Sequence, residues 1–192
     1  MNIFNSFIIL CILFLPFHVV SAKQRKHIII PKAGIYEMDN TVTAGYRFDT
    51  KSNRVLGFEY EYHFTNGLTI GVEHMYFENS FVGNNLNRKL KVNVAFFDAK
   101  YYFNYKTGSH WLPYIGLGAG YAFGRDNDNS IDGLAYQIFA GIAYQWERFG
   151  VYVQYKQMDL EVESSFRFIS PVTFNKYDLS GKGLFAGISI KF

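Results

Sequence analysis

Apolar side chains alternate with polar or small ones along eight segments of the chain, with a period of two residues. This period places the two sets of side chains on opposite faces of a β-strand. Residues that favour turns separate the segments. The predicted strands run approximately over His27–Met38, Arg54–Thr65, Leu68–Glu78, Leu90–Asn104, Trp111–Gly124, Leu134–Glu147, Phe149–Val162 and Tyr177–Phe192. The sequence therefore predicts an all-β chain.

The apolar face is the wider one in most of these strands. In the second strand, Leu56, Phe58 and Tyr60 lie on the face opposite Glu59 and Glu61. Aromatic residues make up 19% of the chain, yet the mean hydropathy is only −0.04, as expected of strands with one apolar and one polar face. A soluble barrel with these faces would expose strand after strand of aromatic surface to water. We predict an eight-stranded antiparallel up-and-down transmembrane β-barrel whose apolar face contacts lipid.

The connections between the predicted strands alternate between short and long. The short ones are centred on Thr65-Asn66-Gly67, Tyr105–His110 and Arg148. The long, polar ones are Asp39–Asn53, Asn79–Lys89, Arg125–Gly133 and Glu163–Lys176. Transmembrane barrels have short periplasmic turns and longer extracellular loops. We therefore expect both chain termini on the periplasmic side.

The N-terminus has the pattern of a secretory signal peptide. Phe7–Phe17 is a short apolar run, and Val20-Ser21-Ala22 places small residues before a cut after Ala22. We predict a signal peptide over residues 1–22 and a barrel over residues 23–192. The single cysteine, Cys11, lies in the predicted signal peptide, so disulfides would not stabilise the exported chain.

Two predicted strands depart from a regular pattern. In the fourth, Val92 and Val94 lie in one phase whereas Ala95 and Phe97 begin an apolar face in the other. A β-bulge, or a strand that begins above the membrane, accounts for such a slip. In the first, Pro31 cannot donate a hydrogen bond to the sheet.

Three segments resemble those of small outer-membrane barrels related to OmpA, OmpW and the opacity-type proteins. They are WLPYIGLGAGYAFG (Trp111–Gly124), the hairpin Phe139–Asp159 and the closing strand GLFAGISIKF (Gly183–Phe192). The resemblance implies a location in the outer membrane, with lipid and lipopolysaccharide as partners. It also implies insertion by the barrel-assembly machinery, which would read the strand that ends at Phe192. The motifs are generic, so they indicate architecture and not activity.

The polar face of the predicted strands places charged side chains in the barrel interior. They are Glu59, Glu61, Glu73, Asp98, Lys100, Glu147 and Lys156, accompanied by Gln137, Gln145 and Gln154. An eight-stranded barrel is filled by side chains, and buried charges must be paired. We expect a salt-bridge network that plugs the interior. The alternative is a gated route for protons or small solutes.

Two further patterns resemble a calcium loop and a hydrolase motif, but each lacks a residue that the site would need. Asp126, Asp128, Ser130 and Asp132 have the oxygen spacing of a calcium loop, but Ile131 replaces its turn glycine. A lipid hydrolase of this architecture would have a His-x-Ser pair, whereas His74 is followed two residues later by Tyr76. Ser109 and His110 are adjacent and would point to opposite faces of a strand. We assign no catalytic, metal-binding or cofactor-binding residues and predict that the protein is not an enzyme.

The last predicted loop, Ser164–Asp178, is unusually apolar for a segment outside the cell. Its apolar residues are Phe166, Phe168, Ile169, Val172 and Phe174. They either pack on other loops or bind a host surface, a small hydrophobic ligand or lipid. Basic residues in or beside the predicted loops are solvated or contact lipopolysaccharide phosphates. These are Arg47, Lys51, Arg54, Arg88 and Lys89.

These observations lead to a ranked set of functions. We predict a non-enzymatic surface role, in envelope integrity or adhesion, performed by the extracellular loops. The alternatives are an OmpW-like transporter or narrow channel for small or hydrophobic solutes and, third, an outer-membrane lipid hydrolase. A net charge of +3 is too small to indicate nucleic-acid binding.

Overall fold

The computed structural model describes residues 26–38, 41–43, 46–48, 53–64, 66–83, 86–105, 110–126, 129–164 and 176–192. Eight strands form the barrel. They are β1 (His27–Met38), β2 (Asn53–His63), β3 (Leu68–Gly83), β4 (Leu86–Tyr102), β5 (Trp111–Asp126), β6 (Asn129–Gln145), β7 (Phe149–Ser164) and β8 (Gly181–Lys191). Thr41–Thr43 and Tyr46–Phe48 form a separate two-stranded sheet. No helix long and apolar enough to cross a membrane occurs among the described residues.

The sheet closes on itself through antiparallel pairing of β1 with β8. Each strand pairs with its neighbours in sequence, and β8 then pairs with β1, for example Ala33 with Ala186. A path that starts at Ile28 and passes from each residue to its paired residue on the next strand goes once round the barrel. It returns to β1 at Met38, ten residues after Ile28. This stagger tilts the strands and fixes the width of the interior. The predicted eight-stranded barrel is confirmed.

The structure corrects two of the predicted connections. Asn79–Lys89 was expected to be a long loop, but β3 continues to Gly83 and β4 begins at Leu86. Arg125–Gly133 likewise belongs mostly to β5 and β6. Both segments are polar, and the hydrophobicity pattern that marks a strand fades once the strand leaves the membrane.

Of the two explanations for the slip in the fourth strand, the β-bulge is wrong, whereas a strand that begins above the membrane is compatible with the start of β4 at Leu86. The pairing of β4 with β3 and with β5 runs without a bulge, and Val92 and Val94 both point into the interior. The apolar residues change from one face of the strand to the other because the barrel interior is itself apolar at Val92 and Val94, towards the end away from the termini. A strand is interrupted just before β8. Lys176–Asp178 and Gly181 pair with β7 in the same register, and Leu179 and Ser180 lie between the two paired segments.

At this interruption, Leu179 is buried in the barrel and anchored on both sides. Its backbone N–H donates to the carbonyl of Leu160, and its own carbonyl accepts the hydroxyl of Tyr36 at 2.9 Å. The hydroxyl of Ser180 donates to Asp159 and accepts the N–H of Leu160. The break therefore keeps its backbone groups satisfied and supplies one more apolar side chain to the interior.

The outer wall of the barrel is a belt of exposed apolar side chains. Leu56, Leu117 and Ile138 are each more than 60% exposed. Aromatic rings border the belt at the end that holds the chain termini, here called the terminus end. Trp111 and Tyr144 contact edge to face there at 4.7 Å between ring centroids. An apolar belt with an aromatic border suits a bilayer and not water.

Several sequence-based predictions lie outside the described residues. These are the signal peptide over residues 1–22, the apolar cluster of the last loop, and the side chains of Arg47, Lys51, Arg88 and Lys89. They stay predictions. Arg54 is described and is exposed on the outer wall.

Arginine substitutions test the membrane-facing belt. Leu117 lies midway along β5, so Leu117→Arg buries a charge in lipid and is expected to lower the free energy of unfolding by about 2–4 kcal/mol. Glu163→Arg, on an exposed residue opposite Asp132 at the other end of the barrel, should change it by about 0–1 kcal/mol. Urea unfolding of the barrel in lipid vesicles measures both. Equal effects at the two positions would contradict the lipid-facing assignment.

Candidate functional site

The interior contains a buried cluster of charged side chains contributed by five strands. β1 provides Lys32; β2 provides Glu59 and Glu61; β3 provides Glu73; β4 provides Asp98 and Lys100; β7 provides Lys156. We call these seven residues the ion cluster. All lie at inward positions of their strands, and none is more than 5% exposed. Alternate side chains of each strand point to opposite faces, so the alternation that turns apolar residues towards lipid turns these charged residues inwards.

The ion cluster is a continuous network of salt bridges. Lys32 contacts Glu59 at 2.8 Å and also pairs with Glu73. Lys100 pairs with both Glu59 and Glu61, and Lys156 pairs with Glu73. Each lysine thus has at least one carboxylate partner. Fully buried charges are tolerable only in such an arrangement, because an isolated one would carry the full desolvation cost.

Gln137 on β6 connects the remaining carboxylate to this network. Its Nε2 donates to Glu73 at 2.9 Å and to Asp98 at 2.6 Å. Its Oε1 accepts a hydrogen bond from Lys156 at 3.0 Å. A Cβ at Gly118 would overlap the carboxylate of Asp98, so only glycine leaves room for that side chain.

Aromatic rings enclose the lysines at the centre of the barrel. Lys100 lies 5.5 Å from the ring centroid of Tyr114 and 5.3 Å from that of Phe139. Lys156 lies 5.1 Å from the ring centroid of Phe139 and 5.5 Å from that of Phe185. These cation–π contacts hold both ammonium groups against apolar walls as well as carboxylates.

Two apolar clusters close the interior on either side of the ion cluster. The larger one lies at the end away from the termini, here called the far end, and includes Tyr36, Phe77, Leu90 and Leu160. The smaller one lies at the terminus end and includes Ile28, Ile30, Tyr102 and Leu112. Each of these side chains is buried. The interior is therefore layered, with charges in the middle and apolar side chains at both ends.

At the terminus end of the ion cluster, Glu61 has two further partners. It accepts a hydrogen bond from the hydroxyl of Tyr102 at 3.2 Å and contacts Nε2 of His63 at 2.9 Å. The ring of His63 stacks at a tilt on Tyr102, with 5.0 Å between centroids. These contacts tie the ion cluster to the aromatic layer beside it.

Most of the residues predicted for the interior are found there. Gln137, Gln145 and Gln154 are buried in the interior, but only Gln137 is seen to bond to the ion cluster. Gln145 bonds to the carbonyl of Phe149 at the terminus end, and Glu147 is exposed in the β6–β7 turn. Sequence reasoning placed Glu147 inside because it extended the alternation of β6 past Gln145. Lys32 was missed, although its inward position follows from the exposed Pro31 and Ala33 on either side.

The patterns that suggested other chemistry form no site among the described residues. No group of three or more metal-ligating side chains occurs there, and Asp128 of the calcium-like segment lies outside that part of the chain. His74 is half-buried on the outer wall. Nδ1 of His110 contacts the carbonyl of Gln145 at 2.8 Å, and Ser109 lies outside the described residues.

Comparison with known proteins identifies the fold. No model of a protein family matches the sequence, and no curated protein is significantly similar to it. Among solved structures, the outer membrane protein OprG of Pseudomonas aeruginosa has a TM-score of 0.68 at 19% identity, covering 88% of this chain and 97% of OprG. Neisserial surface protein A has a TM-score of 0.60 at 16% identity, covering 88% and 98%. The outer membrane protein AlkL has a TM-score of 0.58 at 14% identity, covering 88% and 91%.

The chain therefore has the fold of small outer-membrane β-barrels, as the sequence predicted. At these levels of identity the similarity concerns architecture and leaves the activity to be argued from the site.

A double-mutant cycle tests whether the ion cluster is structurally coupled. Glu73→Gln and Lys156→Met each leave a buried charge without its partner, so each is expected to destabilise the barrel by about 3–5 kcal/mol. The double variant removes one charge of each sign and should cost clearly less than the sum of the two. Unfolding of the four proteins by urea in lipid vesicles gives the coupling energy.

The exposed hydrogen bond from Tyr121 to Asp132 provides the control. The cycle of Tyr121→Phe and Asp132→Ala should give a coupling of about 1 kcal/mol or less, because water replaces the lost partner. Purely additive effects of Glu73→Gln and Lys156→Met would show that the cluster does not act as a unit.

Proposed function

We propose that the protein is a closed outer-membrane barrel with a non-enzymatic surface role, in envelope integrity or adhesion. In this proposal the connections at the far end perform the role, and the barrel anchors them. The observation that carries the proposal is the layered interior, in which the ion cluster lies between two apolar clusters. Such an interior makes the barrel a rigid support and not a conduit.

A solute crossing along the barrel axis would have to pass all three layers. Val92, Phe77 and Leu160 are fully buried at the far end. In the middle, the salt bridges of Glu73 to Lys32 and Lys156 span the interior from β3 to β1 and β7. Opening a path would separate buried opposite charges, which is strongly unfavourable. The geometry thus favours a surface role over the alternative of a transporter or narrow channel.

The hydrolase alternative has the least support. Nε2 of His63 contacts Glu61 in the closed interior, and Nδ1 of His110 contacts a backbone carbonyl. A nucleophile-activating histidine must reach a serine, cysteine or equivalent group that a substrate can also reach. The contacts of these two histidines instead fix the barrel at its terminus end, which supports a non-enzymatic role.

The proposal includes two partners beyond the surface role. Lipid surrounds the apolar belt, and the barrel-assembly machinery recognises β8, whose register on β1 completes the sheet. The N–H of Phe192 donates to the carbonyl of His27 at 3.0 Å, and the two rings stack. The closing strand thus ends in contacts that join it to the first strand.

Conductance measurements test the closed interior. Wild-type protein in planar lipid bilayers is expected to give no current steps, and Lys100→Ala should stay silent because both apolar clusters remain in place. A large porin inserted in the same bilayers shows that currents are detectable. Reproducible steps in the wild type, altered by Lys100→Ala, would contradict the closed barrel and favour the channel alternative.

Replacement of residues 165–175 by a Gly/Ser segment of equal length tests the surface role. The variant should keep its folded, heat-modifiable form in the membrane fraction. We expect it to lose attachment of the expressing cells to cultured epithelial cells, or resistance of their envelope to detergent. The same kind of exchange at residues 106–109, between β4 and β5 at the terminus end, is the control and should leave both properties unchanged. Wild-type behaviour of the first variant in both assays would show that residues 165–175 have no surface role.

A further inference from the structure

A groove of about 530 Å³ interrupts the apolar belt on the outer wall over β2, β3 and β4. Leu56 and Phe58 line it from β2, His74 and Tyr76 from β3, and Asn93 from β4. It is open over most of its extent, so it suits a ligand that lies along the wall and not one that is enclosed. The groove opens sideways, towards the lipid, and is separate from the closed interior.

The groove contains polar groups where the wall otherwise carries apolar ones. His74 and Asn93 hydrogen-bond through their side chains, and Tyr76 pairs directly with Asn93 across β3 and β4. Polar side chains facing lipid are unfavourable unless they find polar partners. Apolar walls with a few polar groups suit an amphiphile that carries hydroxyl or amide groups next to its acyl chains.

Two cations lie directly beside the groove on the same outer face. Lys91 is two residues from Asn93 along β4, and its paired residue on β5 is Arg125. Both side chains are exposed. Like charges directly opposite each other destabilise an antiparallel pair, which an anion bound between them would relieve. Neither side chain forms a salt bridge with another residue that the structure describes.

The charge at the far end differs from one side of the barrel to the other. Arg54 adds a third exposed cation near the groove, and Glu78, which pairs with Lys91, is the acidic residue among them. The outer faces of β6 and β7 at the far end are acidic instead, with Asp132, Asp159, Glu161 and Glu163 exposed. An anionic headgroup is therefore attracted to the β2–β5 side and repelled from the opposite side.

We propose that this groove and the cations beside it bind a phosphorylated glycolipid of the outer leaflet, of the lipid A type. Its acyl chains lie against Leu56 and Phe58, and its sugar groups meet Tyr76, His74 and Asn93. Its phosphates bind Lys91 and Arg125, because charge-assisted hydrogen bonds to phosphate are the strongest contacts available there. This proposal is independent of the surface role, since a silent barrel and a conducting one carry the same outer wall.

Native mass spectrometry of the detergent-folded barrel with purified bisphosphorylated lipid A tests the proposal. We expect one tightly bound lipid A per barrel. The double variant Lys91→Gln/Arg125→Gln should bind it about a hundredfold more weakly, since each substitution removes a hydrogen bond between charged groups and each such bond corresponds to about tenfold in affinity. Lys182→Gln is the matched control: Lys182 is exposed on the outer face and pairs with Glu37, as Lys91 pairs with Glu78, but its other neighbour is Gln157 and not a second cation. It lies on β8, away from the groove, so its loss should leave binding unchanged.

A second variant tests the groove without changing the basic residues. His74→Trp fills it and should weaken lipid A binding, whereas Ala140→Trp, on the outer wall of β6, should not. A heat-modifiability gel establishes that each variant is folded. Unchanged affinity in Lys91→Gln/Arg125→Gln or in His74→Trp overturns the site. Equal binding of phosphatidylglycerol, or of lipid A without phosphates, overturns the assignment to a phosphorylated glycolipid.

Discussion

Closure of the sheet between β1 and β8 is the constraint on which the rest of the structure depends. A bilayer offers no water to an unpaired strand edge, so a membrane-spanning sheet must pair every strand on both sides. Closure with a stagger from Ile28 to Met38 sets the strand tilt and the width of the interior. That width admits side chains but leaves no open channel through the ion cluster. The salt bridges and the apolar layers at either end follow from filling the space that closure defines.

The same alternation of side chains explains both walls of the barrel. Every strand sends one set of residues to lipid and the other to the interior, so a lysine such as Lys156 becomes fully buried between apolar neighbours. Pairing with Glu73 makes this burial tolerable and ties β7 to β3 across the barrel. On the outer wall, the groove at His74 and Asn93 is one place where the alternation places polar groups within the apolar belt. The alternation of side chains thus accounts both for the charged interior and for the groove proposed to bind a ligand.

Sequence reasoning reached the eight strands, their order and the inward position of Glu59, Glu73 and Lys100, because a period of two is a local signal. It failed at the end of β3 and the start of β4, where the strands extend beyond the membrane and their polar residues resemble those of a loop. It also missed the apolar layer at Val92 and Val94, since apolar residues face both lipid and interior there. The groove needed three strands in register: no local pattern shows that Lys91 lies opposite Arg125.

The most direct test of the account is a disulfide between β1 and β8. Ala33 and Ala186 pair directly on the outer wall, and no native cysteine lies in residues 23–192. Cysteines at such a pair lie close enough for a bond. In the membrane fraction, a closed barrel with Ala33→Cys/Ala186→Cys forms a disulfide in the folded, heat-modifiable form, whereas Ala33→Cys/Ala140→Cys forms none. A folded membrane protein with two reactive, unlinked cysteines at Ala33 and Ala186 would contradict the closed barrel.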